Sequence, residues 1–111
     1  MIKAEVRRDR AGWVTGFTVT GHSGFAPHGE DIVCAGVTAL SEAAVLGLQR
    51  VAGVQPQVEM EDGFVRCELP PLAQAQEVKA QAIIETMILG LRDIAKDYRR
   101  YVRITEVNGG E

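Results

Sequence analysis

The sequence has few aromatic residues, 5% in all, and only two cysteines and two histidines. A core with so few rings must be built from aliphatic side chains and alanine. The hydrophobic share of 46% is ample for that and excludes a disordered chain. Two cysteines are too few for a disulfide framework. Together with the lack of an apolar leader in the charged, alternating stretch Met1–Arg10, they argue for a reducing compartment. There is no excess of basic residues: the net charge of −3 speaks against a general nucleic-acid binder. An uninterrupted apolar run is missing too. Ile32–Leu48 is apolar but short, and Thr38, Ser41 and Glu42 interrupt it, so it reads as a buried helix. At 111 residues, 1–111 is one domain.

What is present alternates between strand and helix signals. Ile2, Ala4 and Val6 alternate with charged residues, as in a half-buried strand. Asp9–Gly12 is a turn, and Trp13–Val19 is its β-branched partner strand. Thr20–Glu30 is a loop carrying Gly21, Gly24, Pro27 and Gly29. A helix runs from Ile32 to about Val51, with Asp31 as its N-cap and Gly53 as its stop. It is apolar almost all round and should be covered on more than one side, the second cover coming from a partner subunit. Gly36, Ala39, Ala43 and Gly47 form a stripe of small residues along it. Val58 and Met60 lead into the hairpin signal Asp62-Gly63, and Phe64–Leu69 returns. Ala73–Tyr98 is an amphipathic helix and Tyr101–Val107 a last strand. The order ββαββαβ predicts an α+β fold: a mixed β-sheet packed with two helices, the first helix largely buried.

The chemistry concentrates where the glycine loop meets the first helix. Cys34 falls in the first helical turn, where unpaired amides and the macrodipole favour a thiolate. His22, on the loop, is the candidate proton acceptor. Amides of the same helix start are candidate donors to an oxyanion. Asp31, Cys34 and Thr38 share one helix face. A carboxylate beside a thiol opposes its ionisation, so Asp31 is a cap or a support for the loop and not an activator. Cys67 alternates with Val65 and Leu69 and reads as core. Ser23 and Ser41 have no distinguishing context. His28, between Pro27 and Gly29, reads as a solvated loop tip. His22, His28 and Cys34 match no common zinc spacing, and the loop lacks both G-x-G-x-x-G and a lysine before the helix. No metal and no cofactor is called for.

Gly21-His22 followed by Asp31-Ile32-Val33-Cys34-Ala35-Gly36-Val37 resembles the ribosomal-processing cysteine protease family, Prp. The resemblance extends over the whole chain in length and element order. It implies a bacterial cytoplasmic endopeptidase that removes the N-terminal extension of a large-subunit ribosomal protein. By this resemblance Cys34 is the nucleophile and His22 the general base and acid. Asp31 and Thr38 support them, and Gly21, Gly24, Phe25 and Gly29 belong to a loop that substrate orders. Phe25 would meet an aromatic substrate side chain or anchor the loop. The resemblance also implies a homodimer, with no cofactor, no direct nucleic-acid partner and no membrane. Two positions depart from the family pattern: Ser23 stands where alanine is usual, and Thr38 where serine is usual. The competing reading is a module that binds a peptide or a ribosomal protein without cutting it.

Overall fold

The computed structural model describes residues 1–27 and 29–109. The elements are β1 (Ile2–Arg8), β2 (Val14–Thr20), α1 (Ile32–Arg50), β3 (Gln57–Glu61), β4 (Phe64–Glu68), α2 (Gln74–Asp97) and β5 (Val102–Val107). The five strands form one sheet in the order β3-β4-β2-β1-β5. All neighbours are antiparallel except β1 and β5. That parallel pair is possible because α2 carries the chain back over the sheet to its far edge.

The pleat sorts the side chains. Val6 lies opposite Phe17 and Ala4 opposite Val19, and β4 adds Cys67 and Val65 in register with the same two β2 residues. All six are buried, and the helices supply most of the rest of that core, joined by Ile2, Val14, Ala52, Val54 and Val102. Burial pushes the Cys67 thiol up to about 12, so it is a packed hydrophobe, as its alternation indicates. The other sheet face is polar: Arg7 donates to Glu5, Thr18 and Glu68. The architecture is therefore two layers, both helices on one side of a mixed sheet.

Trp13 does not start a strand. The Asp9 carboxylate accepts the amides of Ala11 and Trp13 at 2.9 and 3.0 Å, which folds this stretch into a turn and leaves Trp13 exposed. At the register shift beyond it, buried Gln81 of α2 serves both backbone groups of Val14, at 2.9 Å from the amide and 2.8 Å from the carbonyl. One turn further along the same side of α2, Glu85 pairs with Arg8 of β1, which also pairs with Glu106 and so ties helix to sheet.

The helices interlock through glycines rather than along a single stripe. A Cβ at Gly36 would lie 3.3 Å from Ile94, one at Gly47 3.2 Å from Ile83, and one at Gly90 of α2 2.9 Å from Leu40. Ala39 and Ala43 instead face outward. This corrects the expectation of a largely buried first helix. Val33, Val37, Ser41, Ala44, Val45 and Leu48 are buried, but Ile32, Ala35, Ala39, Ala43 and Leu46 are exposed. Although α1 has the length and composition of a membrane span, 33% of that stretch is buried in this fold. One sheet and one other helix can cover only one side of it.

Candidate active site

The loop from Gly21 to Glu30 crosses from the end of β2 to the start of α1. Its first residue is fixed from two sides. The Gly21 amide donates to the Gly63 carbonyl at 2.8 Å, and a Cβ at Gly21 would collide with the Met1 carbonyl. With φ at +93°, this position needs glycine. His22 follows. Its ring lies against the β3–β4 turn, with Nε2 4.0 Å from an Asp62 carboxylate oxygen. A Cβ on Gly63 would sit 2.7 Å from the same Nε2.

Ser23 turns inward and is 4% exposed. Its amide donates to Cys34 Sγ at 3.3 Å and its hydroxyl donates to Asp31 Oδ2. Asp31 is the hub of the junction. Oδ1 caps α1 by accepting the amides of Val33 at 3.0 Å and Cys34 at 2.9 Å. Oδ2 accepts the Ser23 hydroxyl and the amides of Phe25 at 3.2 Å and Ala26 at 3.4 Å. Burial alone would push this carboxyl up. The bonds from Ser23, Cys34, Ala26 and Val33 outweigh it and pull the carboxyl down to about 2. Asp31 thus joins loop to helix.

Phe25 is the anchor of the loop, not part of its groove wall. It packs edge-on against Tyr98 and Tyr101, with ring centroids at 5.5 and 5.3 Å. Gly24 and Gly29 adopt positive φ and line the groove with Gly21. His28 lies outside the described residues.

The predicted residues line one groove. An open groove of about 1000 Å³ runs between the loop, α1 and the β3–β4 hairpin, and His22, Asp31, Cys34 and Thr38 all line it. Cys34 is half-buried in the first turn of α1, a turn without acidic residues. The expected oxyanion donors are otherwise engaged, however. The amides of Val33 and Cys34 are held by the Asp31 carboxylate, and the Ala35 amide by the Asp31 carbonyl at 3.0 Å. The donor that touches sulfur comes from the loop, at Ser23. Sequence reasoning gave Ser23 no site role and read Asp62-Gly63 only as a hairpin turn. Their roles depend on contacts across the fold, for which the local sequence carries no signal.

Residues 1–103 match the family described as cysteine protease Prp. The ribosomal processing cysteine protease Prp of Bacillus subtilis is 40% identical over 108 residues, covering 95% of this chain and 96% of that protein. The crystal structure of Prp from S. aureus with a covalently linked product peptide superposes with a TM-score of 0.88 at 26% identity, over 96% of this chain and 100% of that one. The same protease with a substrate peptide gives 0.82 at 25% identity, with the same coverage. The match along nearly the whole chain, in a fold that opens a first-turn thiol and a loop histidine onto one groove, makes this chain a member of the Prp family of cysteine proteases.

Proposed function

We propose that the chain is an endopeptidase that removes the N-terminal extension of a large-subunit ribosomal protein, with Cys34 as nucleophile and His22 as general base and acid. The observation that carries this reading is the position of Cys34 Sγ. It sits at a helix start, on an open groove of about 1000 Å³, and already accepts an amide hydrogen bond. His22 takes the thiol proton. The thiolate attacks the scissile carbonyl, and the protonated imidazole then gives its proton to the leaving amine. Water releases the acyl group. The ribosomal substrate is supported by the name of the B. subtilis relative, and peptide binding by the two S. aureus complexes.

The protease acts as a cytoplasmic homodimer in this reading. Support for the dimer is the outward face of α1, where Ala43 and Leu46 are exposed among the described residues, beside the groove that Ala35 and Ala39 line. Asp31 and Thr38 support the site: Asp31 by binding the loop, Thr38 by offering a hydroxyl to the groove one turn after Cys34.

The deciding experiment incubates the full-length ribosomal precursor with the protein and with Cys34→Ala, and reads the products by mass spectrometry. One cut in the extension, absent with the variant, is expected. Binding by the wild type without a cut would overturn the protease reading in favour of a binding module. Sedimentation of the wild type and of Leu46→Glu tests the dimer. A monomeric wild type would sink it.

A further inference from the structure

Acyl transfer through a thiolate needs a hydrogen-bond donor at the carbonyl oxygen, which becomes an oxyanion as the tetrahedral intermediate forms. In this fold the obvious donors are committed. The carboxylate of Asp31 holds the Val33 and Cys34 amides at 3.0 and 2.9 Å, and the Asp31 carbonyl holds that of Ala35. One amide instead points at the reacting atom: that of Ser23, 3.3 Å from Cys34 Sγ.

We infer that the main-chain N–H of Ser23 is an oxyanion donor of this protease, and that the Ser23 side chain holds it in place through Asp31. The inference rests on the proposed protease activity. When Sγ attacks, a C–S bond forms and the carbonyl π pair moves onto oxygen, one bond away from the carbon now joined to sulfur. The N–H that served the thiolate is then within reach of the new anion and follows the charge from sulfur to oxygen. Collapse returns the pair, breaks the C–N bond and releases the amine with the proton from His22. The geometry required is rigid, and the structure supplies it. Ser23 is 4% exposed, its hydroxyl is bonded to Asp31, and the same carboxylate caps the helix that carries Cys34. Donor and nucleophile are thus tied to one buried group.

The test removes that single N–H. Synthetic residues 1–33 can be ligated to recombinant residues 34–111 at Cys34, which regenerates the native sequence. Replacing Ser23 by its α-hydroxy acid turns the amide into an ester and leaves the side chain intact. Compared with the all-amide ligated protein, the ester form should cut the precursor with kcat lowered about 100-fold and KM unchanged. Equal kcat values would overturn the inference. So would a rise in KM alone, which would mean that the N–H only shapes the loop. A second measurement needs no variant. In the wild type, a peptide aldehyde forms a tetrahedral adduct on Cys34, and the Ser23 amide proton should move downfield while that of Cys34 stays. A stationary Ser23 resonance would overturn the assignment. If the all-amide protein fails to cut the precursor, the protease reading falls first. A cutting protein indifferent to the ester removes only the Ser23 role.

Discussion

The ring of His22 lies against Gly63, a residue 41 positions later (63 − 22) at the tip of the β3–β4 hairpin, where an added Cβ would sit 2.7 Å from Nε2. The hairpin turn is therefore part of the proposed active site, although it carries no reacting group. Gly63→Ala should act in two ways. Its φ of +72° strains an alanine, which costs about 1 kcal/mol. The new methyl also displaces the ring, since the end of a side chain yields more readily than backbone. Cleavage of the precursor should fall by about tenfold or more, against a thermal midpoint only a few degrees lower. An alanine variant of full activity would show that His22 works from a different position.

Phe25, wedged against Tyr98 and Tyr101, sets the resting position of the loop from outside the groove. The platform beneath it is stiff, because the Tyr101 amide donates to the Tyr98 carbonyl at 2.9 Å and the Ile2 amide to the Tyr101 carbonyl at 2.8 Å. Edge-to-face pairs add about 0.5–1.5 kcal/mol each beyond their burial. Phe25→Leu forfeits both pairs, so each binding event must order the loop afresh. KM should rise by about tenfold with kcat retained. Tyr101→Phe keeps the ring and should behave as wild type. A loss of kcat at constant KM in Phe25→Leu would contradict a clasp that acts before substrate binds.

How far these relations are legible in the sequence depends on their range. The strands, both helices, the Asp31 cap and the Asp62-Gly63 turn are local events, written in alternation, capping and turn chemistry. Cys34 and His22 stand out as candidates because a first-turn thiol and a histidine on a glycine-rich loop each have a local physical reason. Ser23 was not. It is an ordinary loop serine until the fold brings Asp31 and Cys34 to it. Likewise Tyr98 caps the end of α2, and nothing nearby in sequence announces Phe25 as its neighbour. Composition alone marked α1 as apolar on all sides. It could not say that a single chain leaves Ala35, Ala39, Ala43 and Leu46 bare.

The two thiols should separate cleanly by reactivity. Cys67 has no exposed surface and its thiol is pushed up to about 12 by burial, so at neutral pH it offers neither access nor thiolate. Cys34 is half-buried on the groove. Iodoacetamide at pH 7 should add once to the native protein, at Cys34, and twice in urea. A native adduct on Cys67 would mean that the sheet–helix core opens on the timescale of the reaction.

Asp31 ties the pH dependence of stability to the same junction. Its carboxyl is held down to about 2, against 3.8 for the unperturbed group. A depressed carboxyl stabilises the fold wherever it is ionised, so its contribution is complete above about pH 4 and fades as pH falls toward about 2. Asp31→Asn keeps the shape and the cap oxygen but presents an NH₂ group where the Ser23 hydroxyl and the amides of Phe25 and Ala26 donate. Donor would face donor, and about 1–3 kcal/mol should be lost at neutral pH. Urea unfolding at a series of pH values checks the sign. The gap between wild type and variant should be constant from pH 7 to about pH 4 and should narrow below that. A gap that instead widened in acid would mean that the carboxyl is raised in the folded state, with burial outweighing the hydrogen bonds. Asp31 would then bind the loop as a neutral acid.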